Sequence, residues 1–205
     1  MNMKKRMLSI VLSGAMAVST AVSAGSFSAF AVAQCVAYSG SNVNDQDYVQ
    51  WSDTVKSYLT VCDNGNYMRV QSGAIEGKLL VEYYSSDFEP LSTKLIDNEL
   101  PVFGAFYDSG DNYYVLSGQE NPKQNDSLEV FRITKYDKNW NKIKSCGLYG
   151  ANTTVPFDAG SARMTHSGDH LLVRTCHKMY KSSDGNNHQA NVTIEVDMPS
   201  MTITD

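Results

Sequence analysis

The chain has 205 residues, with 17 basic and 22 acidic side chains and a formal net charge of −5. An acidic chain lacks the basic face that a phosphate backbone demands, which excludes nucleic acid as an expected partner. Twelve Tyr and seven Phe tilt the expectation toward strands.

The first predicted element is an export signal. Met1-Asn2-Met3-Lys4-Lys5-Arg6 is basic, the stretch from Met7 to Val22 carries no charge, and Ala31-Val32-Ala33 fits the small-x-small pattern of a cleavage site. Residues 1–33 are expected to be a secretory signal helix and 34–205 the mature domain, secreted or held at the cell surface. The uncharged stretch is too short and too diluted by Ser and Gly to span a bilayer, and no second apolar run of spanning length follows. A lipidated Cys35 would need a small residue before it, and Gln34 is not small. Cleavage removes three basic residues and no acidic ones, which takes the mature charge to −8.

Four cysteines, Cys35, Cys62, Cys146 and Cys176, follow the signal. An oxidising compartment permits two disulfides with three connectivities. Neighbour pairing, Cys35–Cys62 and Cys146–Cys176, is the simplest, and buried free thiols are the alternative.

The mature chain then reads as three units, near 50–100, 101–150 and 151–205. In the first, β-rich stretches lie at 55–61, 66–71, 79–84 and 91–96, although Tyr48, Trp51, Val55 and Tyr58 are also spaced like a helix face. The second offers 102–107, 112–117, 128–136 and 142–146, separated by Gly, Asn, Asp and Pro clusters. The third offers 162–165, 170–180, 190–196 and 201–203. A hairpin recurs at the end of each unit, in Tyr84-Ser85-Ser86-Asp87-Phe88-Glu89-Pro90-Leu91, in Tyr136-Asp137-Lys138-Asn139-Trp140-Asn141-Lys142-Ile143 and in the stretch from Val196 to Ile203. Each opens with a β-former and a polar turn residue and has Leu or Ile at the eighth place, with a large apolar residue expected at the fifth, as in Phe88 and Trp140. A Gly-led turn precedes each hairpin, at Gly65, Gly110 and Gly168.

These hairpins, with the segments from Gly150 to Gly160 and from Thr175 to Tyr180, resemble secreted bacterial propeller-like proteins. The resemblance covers most of residues 50–205 and implies a fold and a compartment, with no site residues to carry over. The expected fold is all-β, a β-propeller-like array of about three four-stranded units. Closed propellers need about four blades, so this is an incomplete propeller unless 34–54 supply strands; an open array and a truncated piece of a longer protein are the other readings.

Candidate chemistry concentrates in the last unit. His166, His170, His177 and His188 with Asp158, Asp169 and Asp184 are the one group of side chains with metal-ligand character, but His-x-His is absent, and 170 and 177 have opposite strand parity. No metal and no cofactor is therefore expected. Arg163, Arg174 and His177 flank the loop 181–188, where an Arg/His site in a propeller channel would bind a sulfate or carboxylate; Asp158, Asp184 and His188 are the accompanying binding candidates. Asp137-x-Asn139-x-Asn141 opens like a calcium loop, but Lys142 stands where Gly is required, so a β-turn explains it better. Two functional expectations follow. One is a noncatalytic recognition or scaffold domain binding carbohydrate or protein at the cell surface. The other is a propeller enzyme, hydrolase or sulfotransferase-like, built on the Arg/His site.

Overall fold

The computed structural model describes residues 54–158, 160 and 162–205. The expected signal peptide, Cys35, Tyr48 and Trp51 lie outside the described residues. Thirteen strands and no helix occur among those residues.

The first meander is β1 (Ser57–Val61), β2 (Tyr67–Ile75), β3 (Lys78–Tyr84) and β4 (Pro90–Asp97), a four-stranded antiparallel sheet in chain order. The helix alternative fails where it is described, because Ser57 to Val61 pair residue by residue with β2. The middle meander is β5 (Val102–Asp108), β6 (Tyr113–Gly118), β7 (Glu129–Tyr136) and β8 (Lys142–Tyr149), again in order. In the last sheet β9 (Thr153–Pro156) and β10 (Arg163–Ser167) both pair with β11 (His170–Lys181), followed by β12 (Asn187–Asp197) and β13 (Thr202–Ile203). Pro156 lies opposite His177 and Arg163 opposite Arg174, so β9 and β10 are one edge strand interrupted by an excursion.

Strand alternation then stacks the three sheets. Every residue of β6 is buried. Tyr113 and Val115 enter a core with Met68, Val70, Leu79 and Val81 of the first sheet. Their neighbours Tyr114 and Leu116 enter a second core with Leu171, Val173, Ile194 and Val196 of the last. A sheet with apolar side chains on both faces must be covered on both, and that requirement places the middle sheet between the others.

The excursion in the last sheet locks this packing. Phe157 takes a left-handed backbone (φ 59) and is buried, its ring edge-on to Phe131 at 5.4 Å. It fits because Gly118 has no Cβ; one there would lie 2.9 Å from both Phe157 and Pro156.

Four hairpins share one turn. Cys62, Ser85, Asp137 and Ser182 each donate their N–H to the carbonyl four residues on, and accept the N–H three residues on. The left-handed fourth position is glycine in two (Gly65, φ 79; Gly185, φ 86) and aromatic in two (Phe88, φ 62; Trp140, φ 64). The turn opener explains the polar residue in the repeat: Asp137 Oδ1 accepts the N–H groups of Asn139 and Asn141, and Ser85 Oγ those of Asp87 and Glu89. Met201 (φ 49) is the counterpart in a third-unit turn lengthened by a residue.

The Cys146–Cys176 pairing needs correction, while the Cys35–Cys62 pairing lies outside the described residues. Cys146 and Cys176 are free thiols. Cys146 packs against the core between the middle and last sheets. Cys176 points away from that core and donates to Asn191 Oδ1 at 3.2 Å, so the last sheet itself separates the two sulfurs.

Candidate functional site

The structure does not gather Arg163, Arg174 and His177. Arg163 and Arg174 are cross-strand partners on the outward face of the last sheet, where Arg174 Nη1 donates to Thr193 Oγ1 at 2.6 Å. His177 has the opposite parity and is buried inward, its Nδ1 2.6 Å from Thr153 Oγ1. Burial holds its imidazole below the usual histidine range, so it is neutral at pH 7. Asp158 accepts from Gln189 Nε2 at 2.7 Å. Asp184 of the β11–β12 turn and His188 at the start of β12 pair with each other at 2.8 Å on the surface. His166 meets the Tyr107 hydroxyl at 2.8 Å and His170 meets Glu195 at 2.6 Å. The four histidines thus have four different partners, and no group of metal-ligating side chains converges among the described residues.

Asp137 serves as a turn carboxylate. It accepts both the Asn141 side-chain amide and backbone N–H groups, and these hold its carboxyl below the usual range.

A cleft that the sequence reading did not single out opens where the first and middle sheets meet, at the end carrying the β1–β2 turn and the β7–β8 hairpin. It encloses about 300 Å³. Asp63, Asn64 and Asn66 come from the turn, Tyr83 from β3, Tyr113 from β6 and Lys138 from the hairpin. Tyr113 is buried as the floor. The Lys138 ammonium lies 4.3 Å from the Tyr113 ring centre and 2.6 Å from Asp108 Oδ1. That ion pair neutralises the lysine while keeping it at the cleft wall. Tyr83 accepts the indole N–H of Trp140 at 3.0 Å, which leaves its own O–H proton to donate. Trp140 is in turn packed against Tyr113 at 4.8 Å, Tyr136 at 5.6 Å and Phe106 at 5.7 Å. The left-handed turn that aims Trp140 inward therefore sets the Tyr83 hydroxyl.

Burial pushes the phenols of Tyr83 and Tyr113 and the Cys62 thiol up, so all three are protonated at neutral pH. A thiol held protonated is a poor nucleophile. The cleft presents neutral hydroxyl and amide groups, one carboxylate and an internally paired lysine over an aromatic floor. The signal was present in the tyrosine doublets: on a strand, adjacent residues face opposite sheets, so Tyr113-Tyr114 sends one ring to each interface.

Fold and cleft together define an all-β protein of stacked four-stranded antiparallel sheets with a polar, aromatic-floored groove between two of them. No family model matches the chain, and no curated protein matches it. Among solved structures it is similar to a GH43 β-1,3-galactosidase with galactodeoxynojirimycin, at a TM-score of 0.39 and 12% identity over 73% of this chain. The likeness spans 44% of that chain. Among the described residues, no helix is long and apolar enough to cross a membrane.

Proposed function

We propose that this chain is an exported, noncatalytic recognition module, a propeller-like array that takes a carbohydrate in the cleft between its first and middle sheets. One observation carries the reading. The Tyr83–Tyr113–Lys138 cleft sets neutral donors and acceptors over an aromatic floor, and its lysine is paired within the protein. A polyhydroxylated, uncharged ligand exchanges hydrogen bonds with water for hydrogen bonds with such groups, and covers the ring beneath. An anionic ligand would meet Asp63 and a lysine already satisfied by Asp108. Export rests on the basic, apolar and small-residue order of residues 1–33, and a cell-surface glycan is a ligand that an exported module would meet.

The test is a glycan array probed with the mature chain from Gln34 and with its Tyr83→Ala variant. The reading expects a set of neutral glycans bound by the parent and weakened at least roughly tenfold by the substitution, the loss of one hydrogen-bonded aromatic contact. Binding to no glycan, or equal binding by both proteins, would sink it.

A further inference from the structure

The cleft just described has a counterpart one sheet further on. It lies between the middle and last sheets, at the same end, and encloses about 320 Å³. Strand register fixes the correspondence. Tyr83 lies opposite Met68, the second residue of β2, and Lys135 lies opposite Tyr114, the second residue of β6. Lys135 therefore holds in the second cleft the place Tyr83 holds in the first. Met198 follows Val196 as Lys138 follows Tyr136, so Met198 takes the place of Lys138. The lysine has changed walls, yet in both clefts an ammonium sits beside a buried tyrosine; Lys135 is 6.0 Å from the Tyr114 ring centre.

Tyr114 supplies the independent observation. Its residue is fully buried and lines the cleft, and its hydroxyl has no hydrogen-bond partner. A buried hydroxyl without a partner costs about 1–3 kcal/mol, so something that meets it is favoured. Around it stand Asn112 and Asp111 of the β5–β6 turn and Asp169 of the β10–β11 turn. Lys135 donates to the Met198 carbonyl at 3.1 Å, and the Tyr107 hydroxyl engages His166. Two carboxylates beside one committed lysine repel an anion, while amides, carboxylates and an idle phenol suit hydroxyl groups.

We infer that the cleft between the middle and last sheets is a second binding site for a neutral, hydroxyl-rich ligand, with the Tyr114 hydroxyl as its buried anchor. The inference rests on the saccharide reading of the first cleft for its ligand class, and the two are separable by where binding occurs. By the same register Tyr114 stands at the place of Met68, so the second cleft repeats the position of the first and carries a tyrosine and a lysine of its own.

Amide chemical shifts of the full mature chain, titrated with galactose, glucose and N-acetylglucosamine, test it. The expected result is saturable shifts at Asn112 and Asp169 as well as at Asn64 and Asn66. Tyr114→Phe, which removes only an unpartnered hydroxyl and keeps the ring, should weaken the first pair of shifts roughly fivefold, about 1 kcal/mol, and leave the second pair intact. Shifts confined to Asn64 and Asn66, or unchanged affinity at Asn112 and Asp169 in Tyr114→Phe, overturn this inference and leave the first cleft standing. Shifts confined to Asn112 and Asp169 sustain it and overturn the first reading. Silence at both clefts with all three sugars overturns both.

Discussion

Phe88 and Trp140 hold the same position in two hairpins with the same backbone bonds, yet one is spent on the surface and the other in the core. Both take a left-handed conformation that costs a non-glycine residue about 1–2 kcal/mol. Phe88 offsets it only by stacking on Tyr67 at 4.3 Å and stays 57% exposed. Trp140 is 4% exposed, packs against three aromatic rings and bonds the Tyr83 hydroxyl. The middle sheet's hairpin has a neighbouring sheet to enter, and there strain becomes an anchor for the cleft. An αL aromatic in such a turn is thus a positioning device only where a partner sheet receives it.

Substitutions at these positions sharpen the contrast. Trp140→Ala should destabilise the fold by about 3–5 kcal/mol in urea unfolding, since it empties a buried aromatic site. A loss below about 1 kcal/mol would mean the indole is not the anchor described. Gly118→Ala tests the equivalent lock between the middle and last sheets. Its new methyl meets Phe157 and Pro156 at 2.9 Å, and a loss of about 1–3 kcal/mol is expected. Phe88→Gly should change stability by no more than about 1 kcal/mol in either direction, because relief of the left-handed strain offsets the lost stack. If it costs as much as Trp140→Ala, the two turns are not different in the way argued. Tyr114→Phe should leave stability unchanged or slightly raised in the same assay, as no hydrogen bond is lost.

His177 adds a pH dependence to the last sheet. Its folded pKa lies below the unfolded value near 6.5, so the unfolded chain binds the extra proton first as pH falls. The stability from its neutral burial is whole above about pH 6.5, declines as pH drops below that, and levels off once the folded imidazole has protonated as well. Urea midpoints measured from pH 7.5 to 5 should therefore fall less steeply in His177→Asn than in the parent.

The three sheets were legible because each unit repeats a turn opener and a β-former at a fixed offset. The expected stretch 102–107 is observed as Val102–Asp108, and 170–180 as His170–Lys181. What failed was spatial grouping. Arg163, Arg174 and His177 looked like one site because they are close in the chain, but 174 and 177 differ by three, and an odd spacing on a strand sends side chains to opposite faces. The Cys146–Cys176 pairing failed for a related reason: the residues belong to neighbouring sheets, and Cys176 points to the face of β11 away from the core against which Cys146 packs. The clefts themselves were not legible, because they form only when sheets stack, and the repeat pattern alone does not say which face meets which. The Tyr doublets held that information in their parity.

The most direct test uses Trp140 as a reporter. In a Trp51→Phe background it is the sole indole, hydrogen-bonded to the tyrosine that lines the first cleft. Titration with a glycan selected on the array should change its emission saturably, with the same midpoint as binding measured by calorimetry, and Tyr83→Phe should diminish that change. Binding that leaves Trp140 emission flat, or no binding by any glycan, would contradict the assignment of this cleft as the recognition site.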